Sequence, residues 1–112
     1  MGQYHKVYNI DRKEFIHPRS IDCGLKLVEQ MSFRGSTADA LFLLVANSNG
    51  RGGGDVEDHH MIGRWAGNRI VVQGDYSEVN DRAHIPNDEL EDYQDISSSV
   101  LEMLKITGRE RD

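Results

Sequence analysis

The sequence predicts one α+β domain: an antiparallel sheet of about four strands in two hairpins, packed against two or three helices. Three observations predict it. Runs rich in β-formers flank short turns at Tyr4–His17 and again at Met61–Gln73. Apolar residues recur at spacings of three and four in between, and again towards the C-terminus. The chain has 112 residues, 38% hydrophobic and 29% charged, which suits one modest core and excludes a disordered chain.

Taken in order, Tyr4–Asn9 alternates loosely, Ile10–Lys13 turns and Glu14–His17 returns, ended by Pro18, which has no N–H to give to a ladder. Leu25, Val28 and Met31, with Leu27 beside them, predict a short amphipathic helix over 24–31. Ser36-Thr37-Ala38-Asp39 is a capping-box pattern opening Ala40–Ala46. That run is apolar all round; a buried helix and a buried strand share this pattern, and the cap decides for helix. Asn47–Gly50 stops it with residues that tolerate left-handed backbone. Met61–Trp65 and Arg69–Gln73 flank Ala66-Gly67-Asn68 as a second hairpin. The unbroken Ile70-Val71-Val72 predicts a central strand covered on both faces. Leu90, Tyr93, Ser97, Val100 and Leu104, widened by Ile96 and Met103, predict a C-terminal helix beginning near Asn87 or at the cap-like Asp95. Gly108 ends it, leaving 109–112 as a loose, disordered tail of the domain.

The chemistry concentrates between Asn49 and Tyr76, which hold seven of the eleven glycines and the one Trp. Four glycines in five positions, Gly50, Gly52, Gly53 and Gly54, serve a backbone that needs positive φ or close approach. Backbone N–H groups in such a loop can form an anion-binding nest, with Arg51 adding a bidentate contact. Because the loop follows a helix C-terminus, where the dipole disfavours an anion, Arg64 and Arg69 are needed as further contacts and Trp65 is a candidate stacking face. Asp55 or Asp75 is the candidate general base and His17 or His59 the candidate acid. His59 and His60 are adjacent and would point to opposite sides of an extended chain, so no metal set is assigned and no cofactor is expected. The loop is neither a Walker A element nor a dinucleotide fingerprint.

Gly2-Gln3-Tyr4, Asn9–Pro18, Gly24-Leu25-Lys26-Leu27, Arg51–Asp55, Gly63–Arg69 and Gly74-Asp75-Tyr76 stand in an order that covers nearly the whole chain. In this the chain resembles a family of small bacterial, phage and fungal proteins with GQY, RGGGD, GRWAGDR and GDY motifs and no assigned activity. Asn68 stands where that family usually has Asp. The segment Val56–Ile62 is short, where some members carry a long insertion.

A net charge of −6 argues against nucleic acid as a partner. The single Cys23 rules out an internal disulfide and suits a reducing cytoplasm. No apolar run is long enough to span a membrane, and neither a secretory nor a myristoylation pattern is present. The leading expectation is a small cytoplasmic binding protein for a nucleotide or other phosphorylated small molecule, held by Arg51, Gly52, Gly53, Gly54, Arg64, Trp65 and Arg69. The first alternative is a hydrolase acting on such a ligand through Asp and His. The second is an acidic module docking on a basic protein partner through Asp88, Glu89, Glu91 and Asp92, or a phage-type inhibitor of a host system.

Overall fold

The first hairpin forms where the alternation places it. In the computed structural model, which describes residues 3–21, 23–31, 34–47 and 57–108, β1 spans His5–Asn9 and β2 spans Glu14–Ile16, paired antiparallel with Val7 opposite Ile16 and Asn9 opposite Glu14. Asn9 Oδ1 accepts from Arg12 N–H at 2.8 Å and ties the turn. After a short 3₁₀ turn at Pro18–Ile21, the expected helix over 24–31 reduces to a second 3₁₀ turn, Val28–Gln30. The reason lies in its contacts. Leu25 gives its carbonyl to His5 N–H at 2.8 Å and Gln30 Nε2 donates to the carbonyls of His5 and Leu25, so the segment runs alongside β1 rather than coiling on itself.

Helix α1 covers Thr37–Val45. Ser36 Oγ accepts from Asp39 N–H, and Asp39 Oδ2 accepts in return from Gly35 N–H at 2.9 Å, a reciprocal cap that selects helix over strand. Ala40 and Leu44 are fully buried, whereas Phe42 and Val45 are exposed among the described residues, so only one side of this apolar helix enters the core.

The second hairpin does not form. Residues 60–67 make successive turns, and only β3, Ile70–Gly74, is a strand. Gly63 and Gly67 both adopt positive φ, +84° and +79°, which bends the chain where a strand would run straight. The freed backbone has another partner. Gly63 N–H donates to Leu43 O at 3.0 Å and Trp65 N–H to Leu44 O at 2.9 Å, so this segment caps the C-terminal carbonyls of α1. Strand β3 pairs antiparallel with β1, Val72 opposite Val7. It is an edge strand with Val72 exposed, not the doubly covered central strand its apolar run predicts.

The C-terminal stretch divides. A single turn of helix, α2 (Asn87–Leu90), precedes a two-residue strand, β4 (Gln94–Asp95), and α3 follows over Ser97–Ile106. Asn87 opens only this single turn, and the C-terminal helix itself starts two residues past the cap-like Asp95. Asp95 Oδ1 accepts from the backbone and hydroxyl of Ser97 at the start of α3. Because β4 runs parallel to β2, the sheet is mixed, in the order β3-β1-β2-β4, rather than wholly antiparallel, with one hairpin instead of two. The α+β class with about four strands and three helices stands. One sheet face, with Val7 and Ile16, packs with Trp65, Leu44, Val100, Met103 and Leu104 into the core.

A Cβ placed on Gly63 meets Ala46 O at 2.9 Å, whereas one on Gly67 meets nothing within 4 Å. Gly67→Ala therefore carries only the cost of left-handed backbone, about 1–2 kcal/mol, and Gly63→Ala costs more because Ala46 must also move. Urea unfolding of the two variants checks the order.

Candidate functional site

Several residues expected to meet a ligand meet each other's partners inside the protein. Glu14 shares a sheet face with Val7 and Ile16, so its carboxylate points into the core and the residue is only 4% exposed. A buried carboxylate must be paired. Arg64 reaches it with Nε and Nη2, and Trp65 Nε1 donates to Oε1 at 2.8 Å. Arg12 Nε lies 3.4 Å from the same oxygen. Burial pushes the carboxyl up, but the hydrogen bonds from Arg64 and Trp65 and the charges of Arg64 and Arg12 outweigh it and hold Glu14 below its ordinary 4.5.

This corrects the expected role of Trp65. Its ring is fully buried and offers no stacking face. The guanidinium of Arg64 is taken by Glu14. Arg69 is likewise engaged, with Nε and Nη2 on Asp11 Oδ1 and its backbone N–H on Asp11 Oδ2. Those bonds hold Asp11 below its ordinary range. Asn68 Oδ1 accepts from Asn9 Nδ2 at 3.0 Å. An Asp would accept the same bond, so this position supplies an acceptor rather than a charge. The GRWAGNR segment thus clamps the tip of the first hairpin and caps α1. Arg51, Gly52, Gly53, Gly54 and Asp55 lie outside the described residues.

The groove that the fold does build lies on the second sheet face. Alternation brings Lys6, Tyr8, Phe15 and Gln73 to that face. Tyr8 packs against Phe15 and, edge-on, against Tyr93, each with ring centres 5.8 Å apart, and burial raises its phenol pKa. Lys6 Nζ stands 5.7 Å from the centre of the Phe15 ring. Gln73 holds the opposite wall. Its Nε2 donates to Ile85 O at 3.0 Å and its Oε1 accepts from Ile85 N–H at 2.7 Å, which straps the chain after β3 to the sheet. Between sheet and strap is a cavity of about 690 Å³ whose polar lining includes Tyr4, Lys6, His17, Asp75, Glu78 and His84. Its size falls in the usual range of small-molecule sites, ~300–1,000 Å³.

Two of the four expected acid–base candidates, His17 and Asp75, come together in this groove. His17 N–H donates to Ser97 Oγ at 2.7 Å, while its buried ring Nδ1 has no hydrogen-bond partner among the described residues. Asp75 N–H donates to Tyr4 O at 2.9 Å and its Oδ1 accepts from Tyr4 N–H at 3.1 Å. On the rim, Ser77 Oγ lies 2.8 Å from His84 Nδ1 and 3.4 Å from Asp81 Oδ2. His59 is elsewhere, its Nε2 2.7 Å from Glu102 Oε1 on α3. The acids Asp88, Glu89, Glu91 and Asp92 are all exposed on and just beyond α2. Lys6, Tyr4 and His84 were not foreseen as site residues. The polar-headed alternation Tyr4-Lys6-Tyr8 was the available signal for the first two, and none marked His84.

No family model, curated protein or solved structure matches the chain. Among the described residues no helix is long and apolar enough to cross a membrane.

Because the native pKa of Glu14 lies below its unfolded value, its stabilisation is fully present above about pH 4.5 and is lost as pH falls through the lowered native value. Glu14→Ala leaves Arg64 and the Trp65 indole N–H without their acceptor and costs roughly 3–5 kcal/mol, the range for breaking a buried ion pair. Glu14→Gln, which does not titrate, flattens the acid limb of the stability curve. Trp65 fluorescence followed through urea unfolding at pH 3 to 7 reads both.

Proposed function

We propose that this protein binds a small phosphate-bearing molecule, a nucleotide or a sugar phosphate, in the groove between the sheet and the Ser77–Leu90 strap. The observation that carries the reading is the lining itself: one lysine and two histidines share a single cavity with tyrosines and two carboxylates. Lys6 supplies the fixed positive charge for a phosphoryl group, and His17 and His84 supply donors beside it. Tyr4, which is half-exposed, presents a ring for a planar group. Asp75 and Glu78 are acceptors for sugar hydroxyls. Since Arg64 and Arg69 are paired with Glu14 and Asp11, the cationic contacts in this reading come from the groove rather than from the GRWAGNR segment.

One observation favours a second reading, turnover of the bound molecule. His17 and Asp75 line the same cavity, so an acid and a base face one bound ligand. A hydrolase of this kind loses far more kcat than ligand affinity in Asp75→Ala.

A thermal-shift screen of nucleotides, sugar phosphates and inorganic phosphate on wild type, Lys6→Ala and Arg51→Ala tests the proposal. A ligand at a hundred times its Kd stabilises by about 2.7 kcal/mol. That gain is expected in wild type and Arg51→Ala and is lost in Lys6→Ala. A gain lost only in Arg51→Ala moves the site to the glycine loop, and no gain with any compound rejects a phosphate-bearing ligand.

A further inference from the structure

We propose that His59, His60 and Glu102 form a binding site for a divalent transition-metal ion of the zinc class. Adjacent histidines in an extended chain diverge, but here the chain turns from His60 onward and the two rings stack with centres 4.3 Å apart. Glu102 comes to them from α3, more than forty residues away in sequence, and one donor atom from each residue lies within 4.8 Å of the others. Two imidazole nitrogens and a carboxylate oxygen are the donor set that zinc-class ions take at ~2.0–2.2 Å, and three protein ligands leave the fourth tetrahedral position open to water. Calcium and magnesium, which demand oxygen ligands, do not suit this set.

The three residues divide the work. The His59 side chain is only 7% exposed, and without an ion Met61 N–H donates to its Nδ1 at 3.2 Å while Nε2 faces Glu102. Glu102, with 63% of its side chain exposed, and the exposed His60 are free to close the remaining distance by rotamer change. A tetrahedral shell requires ligand atoms ~3.4 Å apart, given zinc–ligand lengths of ~2.1 Å, so the closure is small. Without an ion, Nδ1 of neutral His59 accepts from Met61 and Nε2 carries the proton donated to Glu102. An ion can bond Nε2 only once that proton has left it; a neutral ring then carries its proton on Nδ1, which requires the Met61 N–H contact to open. Metal binding is therefore written in the tautomer of His59. The site lies apart from the groove and does not depend on what the groove binds.

Tag-free, metal-stripped protein titrated with Zn²⁺ by calorimetry, and with Co²⁺ by visible absorption, tests the site. One equivalent is expected to bind, with the Co²⁺ bands of a nitrogen–oxygen shell. His60→Ala and Glu102→Gln, both at exposed positions, should each weaken Zn²⁺ at least roughly tenfold, the smallest loss usual even for residues one layer outside a metal shell. Ring ¹⁵N shifts of His59 should change from an Nε2-H to an Nδ1-H tautomer on adding Zn²⁺. Absence of saturable binding, or affinity unchanged in both variants, overturns the proposal and leaves the trio as an ion pair.

Discussion

A single carboxylate sits where the two halves of this molecule meet. Glu14 comes from the hairpin, Arg64 and Trp65 from the turn-rich segment that closes α1, and the contact joins residues fifty positions apart. Burying a charge is unfavourable unless every lone pair finds a donor, and here two side chains from one short segment supply them together. Misplacing that segment would strand the carboxylate in the core. The Asn9–Asn68 bond and the Asp11–Arg69 pair extend the same join along the tip of the hairpin.

The same constraint takes Arg64 and Trp65 out of the expected set of ligand contacts. Arginines beside glycines look like anion contacts when read along the chain, because sequence shows a charge but not its partner. Here Glu14 and Asp11 take both arginines, and the indole N–H that could have marked an exposed Trp is turned inward to Glu14. What remains open is the opposite sheet face, where Lys6 and Tyr8 alternate with core residues and Gln73 straps down the wall of a groove.

Local signals were legible and long-range ones were not. The cap at Ser36–Asp39 decided between helix and strand correctly because its hydrogen bonds span only a few residues. The first hairpin, with its four-residue turn and terminating Pro18, was readable for the same reason. The Met61–Gln73 hairpin failed because the backbone donors of Gly63 and Trp65 are claimed by α1 carbonyls some twenty residues earlier. The parallel pairing of β4 was invisible in a strand of only two residues. Of the site, His17 and Asp75 line one groove, whereas His59 and His60 were not read as a pair because of an extended-chain argument that the turn at His60 removes. Glu102 carries no local mark at all.

The cap on α1 has a consequence for how the chain tolerates change in length. Leu43 and Leu44 are hydrogen-bonded to Gly63 and Trp65, so points some twenty residues apart in sequence are fixed side by side. Between ends held in this way, each doubling of the connecting length costs only ~0.6 kcal/mol of closure entropy. Added length between these ends is therefore expected to leave the sheet, the buried carboxylate and the groove in place.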